Sequence, residues 1–134
     1  MPAALVPGAT RTERIDIDID RTIGFLGDEW RVYATPAMVN DVEYACWRLI
    51  QEHLDDAQTT VGVHVALEHL AATPLGESVE VRVEVVSVED RRIVCEAVVA
   101  DAAEVVGRGE HTRFVVDVAR HRRRIEAKRA KLAR

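Results

Sequence analysis

The sequence predicts an α+β protein in which a five-stranded antiparallel sheet wraps one long helix. Three observations lead there. A single interior segment, residues 35–56, carries the 3.6-residue apolar period of a helix. Four segments after it, residues 59–71, 77–89, 91–101 and 104–118, carry strand character. The connections between those four are too short to hold a crossover helix, so neighbouring strands should run antiparallel. With 134 residues, the chain is expected to form one domain spanning residues 1–134.

Taken in order, residues 1–13 read as a loose lead-in. In ERIDIDIDRTIGF, Ile15, Ile17 and Ile19 alternate with Asp16, Asp18 and Asp20, the period of a half-buried strand. The aspartates read as its wet face rather than as metal ligands, since no histidine converges on them. In TPAMVNDVEYACWRLIQEHLDD, Thr35 is the expected N-cap and Pro36 the first helical residue. Met38, Val42, Ala45, Cys46, Leu49 and Ile50 then return every three or four residues, giving the broad apolar arc of a helix held against a sheet. In the strand at 77–89, Val79, Val81, Val83 and Val85 alternate with Glu80, Arg82 and Glu84, so one face is buried. Turn chemistry falls at Thr73-Pro74-Leu75-Gly76 and Glu89-Asp90-Arg91.

Composition narrows the function classes. The formal charge of −5 is unevenly spread. Residues 120–134 carry eight Lys or Arg against Glu126 alone, leaving the rest of the chain strongly acidic. Residues 119–134 are expected to form a basic, solvated C-terminal helix. No aromatic residue is interleaved with its charges, which speaks against nucleic acid. Cys46 and Cys95 sit in apolar runs without CxxC spacing and read as buried, reduced thiols. The N-terminus lacks a secretory pattern and no apolar run reaches the ~20 residues of a membrane span. A cytoplasmic protein without membrane contact is expected.

Three polar residues near apolar faces could carry chemistry. Thr35 opens the helix, where free N–H groups favour an oxyanion. Glu43 lies two turns on, about 12 Å along the axis, beside Val42 and Cys46, where a carboxylate loses solvation unless donors hold it ionised. His69 ends a strand just before a turn that needs only its Pro and Gly. Each alone has a structural reading as a cap, a rim carboxylate and a bonded core histidine. Together, a hydroxyl, a carboxylate and an imidazole can cleave an acyl group without a metal. This requires a strand crossing that brings His69 to Glu43.

The segments ATPAMVNDVEYAC, TVGVHVALEHLAATPLGESVEV and GRGEHTRFVVD resemble the hot-dog-fold thioesterases of the fluoroacetyl-CoA thioesterase type, over about residues 15–118. The resemblance implies a hot-dog fold and Thr35, Glu43 and His69 as the catalytic set. It also implies substrate binding through Gly62 and Arg113, and a homodimer with its active site between subunits. Coenzyme A enters as part of the substrate, with no cofactor. Residues 25–30 do not reproduce the phenylalanine lid of the fluoroacetate enzyme, although Phe25, Leu26 and Trp30 remain candidates to line an acyl pocket. The expected activity is therefore hydrolysis of a small or medium acyl-CoA. The alternative is a non-catalytic acyl-CoA or hydrophobic-metabolite binder, while a hydratase-type site would need an Asp and His pairing that is not evident.

Overall fold

The computed structural model describes residues 4–133. Strands β1 (Thr10–Asp16), β4 (Gln58–His69), β5 (Ser78–Glu89), β6 (Arg92–Ala100) and β7 (Val105–Asp117) form one antiparallel sheet in the order β1-β5-β6-β7-β4. The short strands β2 (Thr22–Ile23) and β3 (Val32–Tyr33) pair separately. Helix α1 (Thr35–Gln51) lies against the inner face, and helix α2 (Val118–Leu132) follows β7 directly. A sheet wrapped round one helix is the hot-dog arrangement.

The valine alternation decides the packing. Val79, Val81, Val83 and Val85 are buried with Cys95, Ala97 and Val99 of β6, against Met38, Val42, Ala45, Cys46, Leu49 and Ile50 of α1. Burying these side chains is the main favourable term, roughly 1.5–3 kcal/mol for each large one. Both cysteines are free and buried in this layer.

Four expectations need correction. The lead-in is shorter than expected: β1 already begins at Thr10, paired with Glu84, while residues 1–3 of the expected lead-in lie outside the described residues. The strand expected to run on from Ile15 ends at Asp16. There the Asp18 carboxylate accepts from the Arg21 backbone N–H and caps a 3-10 turn at Ile19–Arg21. Ile17 is buried, but Ile19 is 54% exposed. The turn frees Arg21 to reach Asp41 on α1. Helix α1 stops at Gln51, and residues 52–56 form its cap and turns. Ala34, not Thr35, is the N-cap, its carbonyl accepting from the Met38 N–H, so Thr35 is the first helical residue and Pro36 the second.

A buried polar clamp sits beside that helix start. Tyr33 donates its hydroxyl to Asp41 Oδ2 at 2.6 Å, and Arg21 donates to both oxygens of the same carboxylate. Burial, reinforced by the bond to Asp41, pushes the Tyr33 phenol far above its usual range, so it remains a proton donor. The clamp ties the β2–β3 pair to α1 and fixes where Thr35 begins.

The sheet order also places β4 at an edge. It pairs only with β7, and its segment from Gly62 to Ala66 is exposed. Helix α2 has no buried residue and carries most of the basic tail, of which Arg134 lies outside the described residues.

Candidate active site

The turn after His69 is bolted down from three sides. Tyr33 donates its N–H to the Thr73 carbonyl, Leu75 to Arg31, and Gly76 to Ile17. Gly76 has φ +93°, which a side chain would strain. The buried Thr73 hydroxyl donates to Asp101 Oδ2 at 2.9 Å. His69 therefore leaves the end of β4 in a fixed position. Its Nδ1 lies 2.8 Å from the Thr35 hydroxyl, and its ring meets Tyr33 edge-on at 6.1 Å. Its Nε2 has no hydrogen-bond partner among the described residues. That nitrogen is also screened from solvent, so it exchanges a proton only with a group brought into contact with it. The pair opens on a shallow cleft of about 290 Å³ lined also by Ile23, Val32, Leu70 and Ala71.

Glu43 belongs to a second cluster. Its Oε2 is 3.4 Å from Arg113 Nη1 and 3.8 Å from His111 Nε2. Arg113 is buried, donating from Nε to the Thr60 hydroxyl at 2.7 Å and from Nη2 to the Thr60 carbonyl at 2.8 Å. Its Nη1 also lies 3.0 Å from His111 Nε2, while His111 Nδ1 is 2.8 Å from the His64 carbonyl. A guanidinium can only donate and a carbonyl can only accept, so Nδ1 carries the proton and Nε2 accepts. Burial, with Arg113 adding to it, pushes the His111 imidazolium below its ordinary range. The ring is neutral and presents a lone pair. The fixed Arg113 guanidinium and the neutral His111 ring leave the Glu43 carboxylate, half exposed, as the group free to react.

Gly62 makes this possible. A Cβ there would lie 2.6 Å from Glu43 Oε2, 3.1 Å from His111 Cε1 and 3.3 Å from Arg113 Nη1. Beside it, the register of β4 on β7 slips between Gly62 and His64, so Val63 bulges. Gly62→Ala is expected to push the flexible Glu43 tip away, costing about 100-fold in activity and at most about 1 kcal/mol in stability. Steady-state rates and a melting curve on the same variant measure both.

His111 also sets a pH response. Its folded value lies below the unfolded one of 6.5, so below that pH the unfolded chain binds a proton that the folded ring refuses. Its contribution is full above the unfolded value and is lost as pH falls, until the folded ring also protonates. His111→Gln is expected to flatten the fall in unfolding free energy between about pH 7 and 5, measured by denaturant titration.

Of the residues expected to act together, Thr35 meets His69, and Glu43 meets Gly62 and Arg113. The expected crossing of His69 onto Glu43 does not occur within the chain. The partner of His69 is Thr35, and the eight residues of β4 from Gly62 to His69 span roughly 23 Å at strand rise. Phe25, Leu26 and Trp30 stand 88%, 74% and 66% exposed in the loop between β2 and β3, and none is among the residues that line the cleft. His111, Thr60, Tyr33 and Asp41 were not expected. A signal for His111 was present: two residues before Arg113, it puts a second polar group on the same face of a strand whose next same-face residue is the buried Val115. Among the described residues no cluster suits a metal, and no helix is long and apolar enough to cross a membrane.

The profile of the fluoroacetyl-CoA-specific thioesterase family matches residues 17–119. A fluoroacetyl-CoA thioesterase of Streptantibioticus cattleyicolor is 33% identical over 97 residues, covering 72% of this chain and 70% of that protein. The solved structure of the fluoroacetyl-CoA thioesterase FlK superposes with a TM-score of 0.85 at 28% identity, covering 94% of this chain and 98% of the other. A variant of FlK in complex with fluoroacetate and CoA superposes with a TM-score of 0.79 at 28% identity, covering 87% and 99%.

Proposed function

Because the chain belongs to the fluoroacetyl-CoA-specific thioesterase family, we propose that it hydrolyses the thioester of a small or medium acyl-CoA at composite sites in a homodimer. The observation that carries this reading is the separation of Thr35–His69 from Glu43 on one chain, together with the uncovered edge of β4. An exposed edge strand is a template for pairing. If two copies of β4 pair antiparallel about an axis near Val65, residues 68 and 69 of one come opposite residues 62 and 61 of the other. The partner's imidazole and hydroxyl then approach Glu43, and one dimer holds two complete sites.

In such a site the Thr35 hydroxyl and nearby N–H groups of the helix start polarise the thioester carbonyl. Glu43 either attacks the carbonyl carbon, giving an anhydride that water opens, or takes a proton from an attacking water. His69 supplies the proton to the departing thiolate, so the products are a carboxylate and free CoA. CoA enters as the substrate's leaving group. Arg113 holds the carboxylate and is itself held by the neutral His111, which accepts from its Nη1. The exposed Phe25, Leu26 and Trp30 would cover the acyl group, an apolar surface of the kind that marks a binding site. A CoA ester as substrate and two unpaired thiols support a cytoplasmic setting.

The test combines a panel of acyl-CoAs, read by thiol release, with the mass in solution. Release by a dimer supports the reading. A monomer that turns over at full rate removes the composite site. Thermal stabilisation by CoA esters without thiol release would replace the hydrolase with a binding protein.

A further inference from the structure

The basic C-terminal helix lies almost wholly beyond the family match, which ends at residue 119. Yet α2 is not simply a charged extension. Arg120 and Arg124 are one helical turn apart and share a face. With His121 they line a cleft of about 100 Å³ whose other wall is Phe114, Val115, Val116, Asp117 and Arg91. Two like charges at that spacing destabilise a helix unless something neutralises them, and α2 buries no residue in compensation. The cleft's one carboxylate, Asp117, lies 3.3 Å from the Gln58 amide and 3.6 Å from Arg91 Nη1, which also donates to the Val115 carbonyl. Three guanidiniums therefore share one carboxylate. His121 Nδ1 is screened from solvent and has no hydrogen-bond partner among the described residues. Phe114, 40% exposed, presents an aromatic ring beside these cations.

Excess positive charge, bidentate donors and an aromatic face are what a phosphorylated nucleotide requires. We propose that the cleft between β7 and α2 binds the nucleotide end of the CoA ester, with Arg91, Arg120 and Arg124 on phosphate and Phe114 against the base. This rests on the thioesterase reading above. Phe114 follows Arg113 directly, so the cleft and the Glu43 cluster lie on opposite faces of one strand. The pantetheine arm connects them past the strand ends at Gln58 and Asp117, four residues or roughly 13 Å from Gly62.

The test uses adenosine 3′,5′-bisphosphate as the probe in calorimetry, with the full chain and its R120A/R124A variant. The variant is expected to bind the probe about tenfold more weakly. It should raise KM for the acyl-CoA by a similar factor, leaving kcat and the hydrolysis of the matching acyl-pantetheine unchanged. Phe114→Leu should weaken the bisphosphate but not inorganic pyrophosphate. An unchanged Kd in R120A/R124A, or an equal KM change for the acyl-pantetheine, overturns the site while leaving thioester hydrolysis standing. A chain that binds the bisphosphate through Arg120 and Arg124 but releases no thiol keeps the nucleotide site and sinks the hydrolase. Binding of pyrophosphate as tight as that of the nucleotide, or tighter binding of a short oligouridylate, overturns the assignment to CoA.

Discussion

Glu43→Gln is expected to slow thioester hydrolysis by about 1000-fold, or about 4 kcal/mol of transition-state stabilisation. The amide can neither attack a carbonyl nor take a proton, so both routes through Glu43 fail together. The fold should hardly respond. The side chain is half exposed, and an amide oxygen turned toward Arg113 Nη1 keeps the contact now made at 3.4 Å. Melting temperature is therefore expected to stay within a few degrees of wild type, and KM should change less than kcat. Single-turnover rates with the acyl-CoA that releases thiol fastest make the measurement. A variant retaining more than a tenth of the wild-type rate would mean that another group activates the nucleophile.

The other large effect is on stability. Arg113→Leu is expected to destabilise the fold by about 3 kcal/mol, lowering the melting temperature by roughly 10 °C. The guanidinium is almost fully buried, and its removal strands the Thr60 hydroxyl and carbonyl and the lone pair on His111 Nε2. Leucine fills part of the volume but donates to none of them. Arg113→Lys supplies the control: it keeps the charge near Glu43 and loses the fork that spans Thr60 and His111 at once. It should fall between wild type and the leucine variant in stability. A leucine variant as stable as wild type would show that these bonds contribute nothing net.

Much of this was legible in the sequence, and the gaps have physical causes. Local periodicity marked α1 and the valine face of β5 because one helix and one sheet face bury them directly. The ends were harder. Asp18 draws β1 into a turn so that Arg21 can reach Asp41, twenty residues away. Ala34 takes the cap position and leaves the Thr35 hydroxyl to His69. Spacing also singled out Thr35, Glu43 and His69, but not which of them touch. That depends on β4 skipping β5 to pair with β7, a long-range choice that no local period records. Phe114 meets the basic helix because α2 follows β7 directly, although no aromatic residue lies within the tail itself.

The separation of Glu43 on α1 from the pair that Thr35 makes with His69 at the end of β4 has a genetic consequence. If each centre draws its carboxylate from one copy and its imidazole from the other, two inactive alleles, E43Q and H69A, can rescue each other. A mixed dimer then has one centre with both lesions and one with neither. Co-expression would recover activity that either allele alone lacks, the pattern of intragenic complementation. Recessiveness in this protein would thus depend on which of the two groups, the helix carboxylate or the strand-end imidazole, a lesion strikes.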